Sequence, residues 1–147
     1  MLTCFDVASY FLSRCDEDSG DIISNLKLQK LVYYAQGFSL ALLGKPLFSE
    51  KIEAWMHGPV VPVLYRHYRR HGNNALPTPD QIDLSKYSDD EIELLDEVYQ
   101  VYGQFSAWKL RNMTHEELPW KTAYIEGEPS QEIQVNTMTD FFKTLVN

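Results

Sequence analysis

Ser24-Asn25-Leu26-Lys27-Leu28-Gln29-Lys30-Leu31-Val32-Tyr33-Tyr34-Ala35-Gln36 reads as the opening of one long helix. Leu28, Leu31, Val32, Ala35, Phe38 and Leu42 recur at intervals of three and four, which lays them along one apolar stripe. Ser24 is a competent N-cap, since its hydroxyl can accept from a first-turn amide. Gly44-Lys45-Pro46 stops the helix near Leu43, with glycine just past the end and proline beyond it. The leucines and Ala35 are core residues on this reading. Gln29, Tyr33 and Gln36, spaced by four and three, put amide and phenol groups on one face, suited either to holding a partner or to bracing a neighbouring turn.

Other elements follow outward from that helix. Val7, Ala8, Phe11 and Leu12 behind Asp6 predict a first helix over 6–14, broken by the polar run 16–21. Between Leu47 and Trp55 the period changes to alternation, with Ile52, Ala54 and Met56 against Glu53 and Trp55, so a short strand is expected. His57-Gly58-Pro59 reads as a turn and Val60 to Arg70 as a helix with Pro62 in its first turn, where a missing N–H costs little. Residues 72–87 read as loop. Ser88-Asp89-Asp90-Glu91 is a capping box for a helix ending near Gly103, and Ser106 caps a shorter one carrying Leu110 and Met113. Residues 116–120 interrupt, 120–124 form a further turn, Ile133 and Val135 suggest an edge strand, and Thr137 to Asp140 cap a last helix. The fold class expected is mainly α (α+β): a compact single-domain helical fold over 1–147, with a small two- or three-stranded antiparallel sheet near residues 47–56.

Composition bounds the function. The chain has 147 residues, 44% of them hydrophobic, enough for one packed core. Its 13 Lys and Arg against 21 Asp and Glu give a net charge of -8, which argues against a nucleic-acid coat, because polyanion binding runs on cations displacing counterions. The acid is uneven. Up to Ala75 the balance is 8 against 7 (+1), and from Leu76 it is 5 against 14 (-9), together the -8. No secretory leader and no run near the roughly 18 apolar residues of a membrane span are visible, so a cytoplasmic protein without membrane contact is expected. Cys4 and Cys15 on one helix would stand roughly 16 Å apart at about 1.5 Å per residue, too far for a disulfide.

Four clusters carry chemistry-bearing residues. Trp55-Met56-His57-Gly58-Pro59-Val60-Val61-Pro62 is a rigid corner, which can be purely structural or can serve as an aromatic platform, and rigid aromatics are common interface anchors. Arg66-His67-Tyr68-Arg69-Arg70-His71 is the basic run. His67 and His71 have a spacing that metal ligands use, but Tyr68 stands where a HExxH protease carries its Glu, so no metal is expected. Thr114-His115-Glu116-Glu117-Leu118-Pro119-Trp120 pairs a histidine with carboxylates, raw material for acid–base catalysis, yet equally a helix end followed by a turn. Asp89, Asp90, Glu91, Glu93, Asp96 and Glu97 form an acidic helix face, normally just solvated. No GxSxG elbow, phosphate-binding loop, CxxC pair or EF-hand spacing occurs.

Taken in order, residues 23–36, Gly44-Lys45-Pro46-Leu47-Phe48, Ile52-Glu53-Ala54-Trp55, Gly58-Pro59-Val60-Val61-Pro62 with Leu64-Tyr65, and Thr114-His115 with Pro119-Trp120 resemble the Panacea domain, also called the SocA-like or phage-associated GepA-like domain. The resemblance implies an antitoxin, encoded beside a toxin in bacteria or phages and neutralising it by direct protein contact. It implies a cognate protein toxin as partner, translation inhibitors being among those known, and a protease as a further partner if the chain acts as an adaptor. No separate DNA-binding segment is recognised.

Two classes of function therefore remain. The leading one is a binding module with no catalytic residues and no cofactor. Its candidate partner-binding residues are Gln29, Lys30, Tyr33, Gln36, Trp55, His57, Arg66, Arg69, Arg70, His115 and Trp120, and the acidic later half could imitate phosphate to a basic toxin groove. The alternative is a small ligand-binding protein or enzyme with a pocket near Tyr33, Gln36, Trp55 and His115.

Overall fold

The computed structural model describes residues 1–16 and 21–146, so the interior of the break expected over 16–21 lies outside the described residues. Helix α1 (Cys4–Arg14) begins two residues before the expected start. Thr3 is the N-cap: its hydroxyl accepts from the Asp6 amide at 3.2 Å while the Asp6 carboxylate accepts from the Thr3 amide at 2.9 Å. Asp6 is thus the third-residue partner of a capping box, a position that suits a carboxylate as well as the cap itself.

Helix α2 (Asn25–Leu42) runs as expected, with Ser24 capping the Lys27 amide and Gly44 in the left-handed region (φ 71°) just beyond its end. Its burial goes further than a stripe. Val32, Tyr33, Tyr34 and Ala35 are consecutive and all fully buried, and Asn25, Lys27, Gln29, Lys30, Gln36 and Ser39 are buried with them. A helix buried all round is a central one.

The antiparallel sheet has the order β2-β1-β3, from β1 (Glu53–Trp55), β2 (Gly58–Val60) and β3 (Gln131–Glu132). Met56 and His57 join β1 to β2, with Trp55 opposite Gly58. Gly58-Pro59 is therefore strand rather than turn, and Val60 belongs to the sheet rather than to the next helix. Pro59 is tolerated because β2 is an edge strand. Gly58 adopts φ 109°, open to glycine alone, and a Cβ there would stand 2.5 Å from Lys30 Cε. Helix α3 (Pro62–Tyr68) starts two residues after the expected Val60, with Pro62 in its first turn as expected, and passes into a 3-10 turn at Arg69–His71.

The later helices are α4 (Asp89–Tyr102), α5 (Ala107–His115), α6 (Leu118–Ala123) and α7 (Val135–Leu145). Ser88 with Glu91 forms the expected capping box, and Ser106 caps α5. The expected interruption shrinks to Glu116 and Glu117, since Pro119 sits in the first turn of α6. The third strand lies slightly before the expected Ile133–Val135, although the Ile133 amide still donates to the Ile52 carbonyl at 2.8 Å. Val135 opens α7, whose N-cap is Gln134 rather than a residue of 137–140. No disulfide joins Cys4 to Cys15, and among the described residues no helix is long and apolar enough to cross a membrane.

Helices α7, α4 and α5, with β2 and α1, pack around α2. The α2–α7 contact is closest at Gly37, where a Cβ would overlap the buried Phe142 ring. Phe142 fills that gap edge-on to Tyr33 at 5.5 Å and to Phe38 at 4.9 Å. Gly37→Ala is expected to lower the unfolding free energy by about 1–3 kcal/mol through overpacking, read from urea denaturation. Phe142→Leu in the same background should recover part of the loss, and an unchanged midpoint in Gly37→Ala would contradict this packing.

Candidate functional site

The polar residues of α2 reach the backbones of its neighbours. Gln29 accepts the Val61 amide at 2.9 Å and donates to Asn25 Oδ1, which leaves Asn25 Nδ2 to donate to the Tyr65 carbonyl at 3.1 Å. Gln36 accepts from the Leu47 amide at 2.8 Å and donates to the Phe48 carbonyl at 2.9 Å. Lys30 is fully buried and donates to the Pro59 carbonyl at 3.0 Å. Burial pushes its ammonium down to about 7, and the Arg111 cation adds to the effect. Gln29 and Gln36 thus brace neighbouring segments, one of the two uses expected of them, and Lys30, expected to contact a partner, is bonded within the fold.

Tyr33 and Tyr34 share a different acceptor. Their hydroxyls donate to the two oxygens of Glu117 at 3.0 and 2.8 Å. Burial raises the Glu117 carboxyl from 4.5 to about 7, against the two hydroxyls, which favour its charged form. Burial and the Glu117 charge together push both phenols above their ordinary range.

His115, Trp120 and Tyr124 form a continuous stack, with centroids 3.9 Å and then 4.6 Å apart. The Trp120 indole N–H donates to the Trp55 carbonyl at 2.7 Å and ties α6 to the hairpin. Burial and the Arg111 cation hold His115 below the ordinary imidazole range, and its buried Nε2 has no hydrogen-bond partner among the described residues. The pocket expected among Tyr33, Gln36, Trp55 and His115 does not take that form. Tyr33 and Gln36 are buried and engaged elsewhere, and the clefts along which Trp55 lies take in neither of them, nor His115.

What Trp55 does wall is a cleft of about 350 Å³ that includes Leu26, Gln29, Met56, His57, Tyr65 and Arg69. Three of the residues expected to bind a partner therefore converge, Trp55, His57 and Arg69, beside the buried and already bonded Gln29. The Trp55 ring stands edge-on to Tyr65 at 5.1 Å, and its indole N–H donates to Glu53. Arg66 is not in this cleft; it shares another groove with Glu50, Glu53 and Trp55. Arg70 lies against His71, while His67 stands edge-on to Phe5.

Beside the cleft lies a group that sequence reasoning missed. Arg111 Nε donates to His57 Nδ1 at 3.2 Å, and its guanidinium carbon sits 4.4 Å from the Trp108 ring centre. Trp108 is 54% exposed and Met56 61%. Trp108 and Arg111 are three apart on α5, one helical turn, and that spacing was the available signal.

The family model described as "Antitoxin SocA-like, Panacea domain" matches residues 28–121, from α2 into α6. A protein of Caulobacter vibrioides (strain NA1000 / CB15N) described as Antitoxin SocA is 38% identical over 103 residues, covering 63% of this chain and 55% of that protein. The chain therefore spans just over half the length of this relative. No solved structure matches it.

The Glu117 site makes stability depend on pH. The unfolded chain loses this proton near 4.5 and the folded chain near 7, so the folded form binds more protons in between and is destabilised as pH rises through that window. Glu117→Gln removes this titration. In urea unfolding the stability of the wild type relative to Glu117→Gln should fall between pH 4.5 and about 7; a difference that stays constant across that range would refute the assignment.

Proposed function

The chain belongs to the SocA-like, Panacea-domain antitoxin family, and we propose that it neutralises a cognate protein toxin by direct, stoichiometric contact. The observation that carries this reading is the extent of the family match. It takes in all but the first three residues of the brace-bearing helix, and the whole of the β1–β2 hairpin, the basic run after it and the His115–Trp120 stack, within 28–121. Those elements together build a fixed outer face carrying Trp55, His57, Arg69, Trp108 and Arg111.

A rigid face of this kind suits occlusion. Aromatic and arginine anchors supply most of the energy of a protein contact when they are already held in place, because little side-chain entropy is lost on binding. The role is non-enzymatic on this reading, since the one histidine–carboxylate cluster, His115 to Glu117, is given over to stacking and to holding two phenols. A translation inhibitor is a suitable toxin class, and handing the bound toxin to a protease would be an added step acting on the same complex.

Co-expression tests the proposal. The protein encoded in the adjacent reading frame should arrest growth alone, and growth should return as this chain is induced in rising ratio to it. The two should co-elute as a complex of fixed stoichiometry. A neighbour that is harmless alone, or a rescue without any complex, would refute direct neutralisation.

A further inference from the structure

In a chain whose acids outnumber its bases by 21 to 13, the cleft walled by Trp55, His57 and Arg69 has no acidic residue in its lining, and Arg111 stands beside it on His57. Arg111 is held there from three sides: its Nε on His57, its Nη1 on Asn112 at 2.9 Å, and its plane over Trp108. Among the described residues its Nη2 has no hydrogen-bond partner. Among the described residues the ion pairs are Arg14 with Asp96 and Lys86 with Asp6, so neither Arg111 nor Arg69 is in one. The cleft that begins at His57 carries Arg69 and no acidic residue on its walls. Behind the patch, the Arg111 and Lys30 cations both act to hold His115 below its ordinary range.

We infer that Trp108, Arg111 and His57, with the adjoining cleft walled by Trp55, Met56 and Arg69, dock an acidic segment of a partner protein, a carboxylate meeting Arg111 and an apolar side chain entering the cleft. A guanidinium offers paired N–H donors that match a carboxylate, and one already fixed by a ring and two hydrogen bonds loses little freedom on binding. Exposed Trp and Met beside it supply apolar area at the centre of the contact. A polyanionic nucleic acid fits less well, because its long run of phosphates would need many cationic contacts, and this patch offers two arginines on a chain of net charge -8. Identifying the partner with the toxin rests on the antitoxin reading above; the docking chemistry does not.

The first arm of the test needs no toxin. The full chain labelled with nitrogen-15 has indole N–H signals from Trp55, Trp108 and Trp120, and that of Trp120 is tied to the Trp55 carbonyl. Titration with a peptide of alternating Glu and Leu should shift the Trp108 signal and leave Trp120 unmoved. Arg111→Glu should weaken the titration by about tenfold or more with an unchanged melting temperature, and Arg111→Lys, which keeps charge but loses the planar fork, should weaken it less. Absence of a Trp108 shift at saturating peptide overturns the proposal. So does a single-stranded oligonucleotide that shifts Trp108 as strongly, or a shift produced by raising the concentration of the chain alone, which would mark a second copy as occupant. In the second arm, Trp108→Ala and Arg111→Glu should lose growth rescue while Glu93→Lys on α4 keeps it, and full rescue by both patch variants overturns the docking surface. If the wild type fails to rescue but the peptide binds as described, the antitoxin reading falls and the docking surface stands.

Discussion

A helix enclosed on every side must still satisfy the polar groups it carries inward, since each one buried without a partner costs roughly 1–3 kcal/mol. Helix α2 meets that constraint by spending its side chains on the backbones of other segments. Asn25 and Gln29 hold the start of α3, Lys30 holds β2, Gln36 holds the loop at Leu47–Phe48, and Ser39 donates to the Lys45 carbonyl at 2.7 Å. Lys27 reaches the Gly103 carbonyl between α4 and α5 at 2.6 Å. Each of these segments is irregular or at the edge of an element, where backbone groups lack a partner within the element. The helix therefore fixes its own surroundings, and the loops around it inherit their positions.

The hairpin is the most consequential of those surroundings. Lys30 and Thr114 close on Gly58 from two sides, and the absence of a Cβ is what lets β2 lie there. With β2 seated, Trp55 offers its carbonyl to Trp120 and the Met56–His57 connection projects toward α5, where His57 meets Arg111. A fully buried lysine bonded to one carbonyl is expensive in an apolar site. Its position beneath the hairpin ties the core of α2 to the placement of the exposed face, so the face is as rigid as the core.

How much of this was legible in the sequence depends on the kind of signal. Capping chemistry is local, so Ser24, Ser88 and Ser106 marked their helices correctly. Burial is not local. The stripe of Leu28, Leu31, Val32 and Ala35 gave one face of α2, but nothing in its spacing could tell that Gln29 and Gln36 would also be inside, because a glutamine facing water and one bonded to a distant loop look alike in sequence. Gly58-Pro59 carried a turn signal and formed a strand, since both residues fit an edge strand with a left-handed glycine as well as they fit a turn. Of the site, Trp55, His57 and Arg69 were named from the corner and the basic run. Arg111 and Trp108 were not, because their meaning comes from His57, 54 positions away in the chain.

Charge takes on a different sense once it is placed on the fold. Six of the fourteen acidic residues of the later half lie on α4, and part of that acid is structural: Glu91 accepts the Ser88 amide and Asp96 accepts from Tyr10 and Arg14. Those residues are less free to imitate phosphate than the raw excess of -9 suggests. Meanwhile α5, the next helix, carries Arg111 on a surface without a carboxylate. At physiological salt the net negative charge and a small cationic patch are both screened within about one Debye length, roughly 8–10 Å, so what a ligand meets is the charge next to it. A protein segment with one or two carboxylates reaches that patch without bringing a long run of negative charge along the rest of the surface.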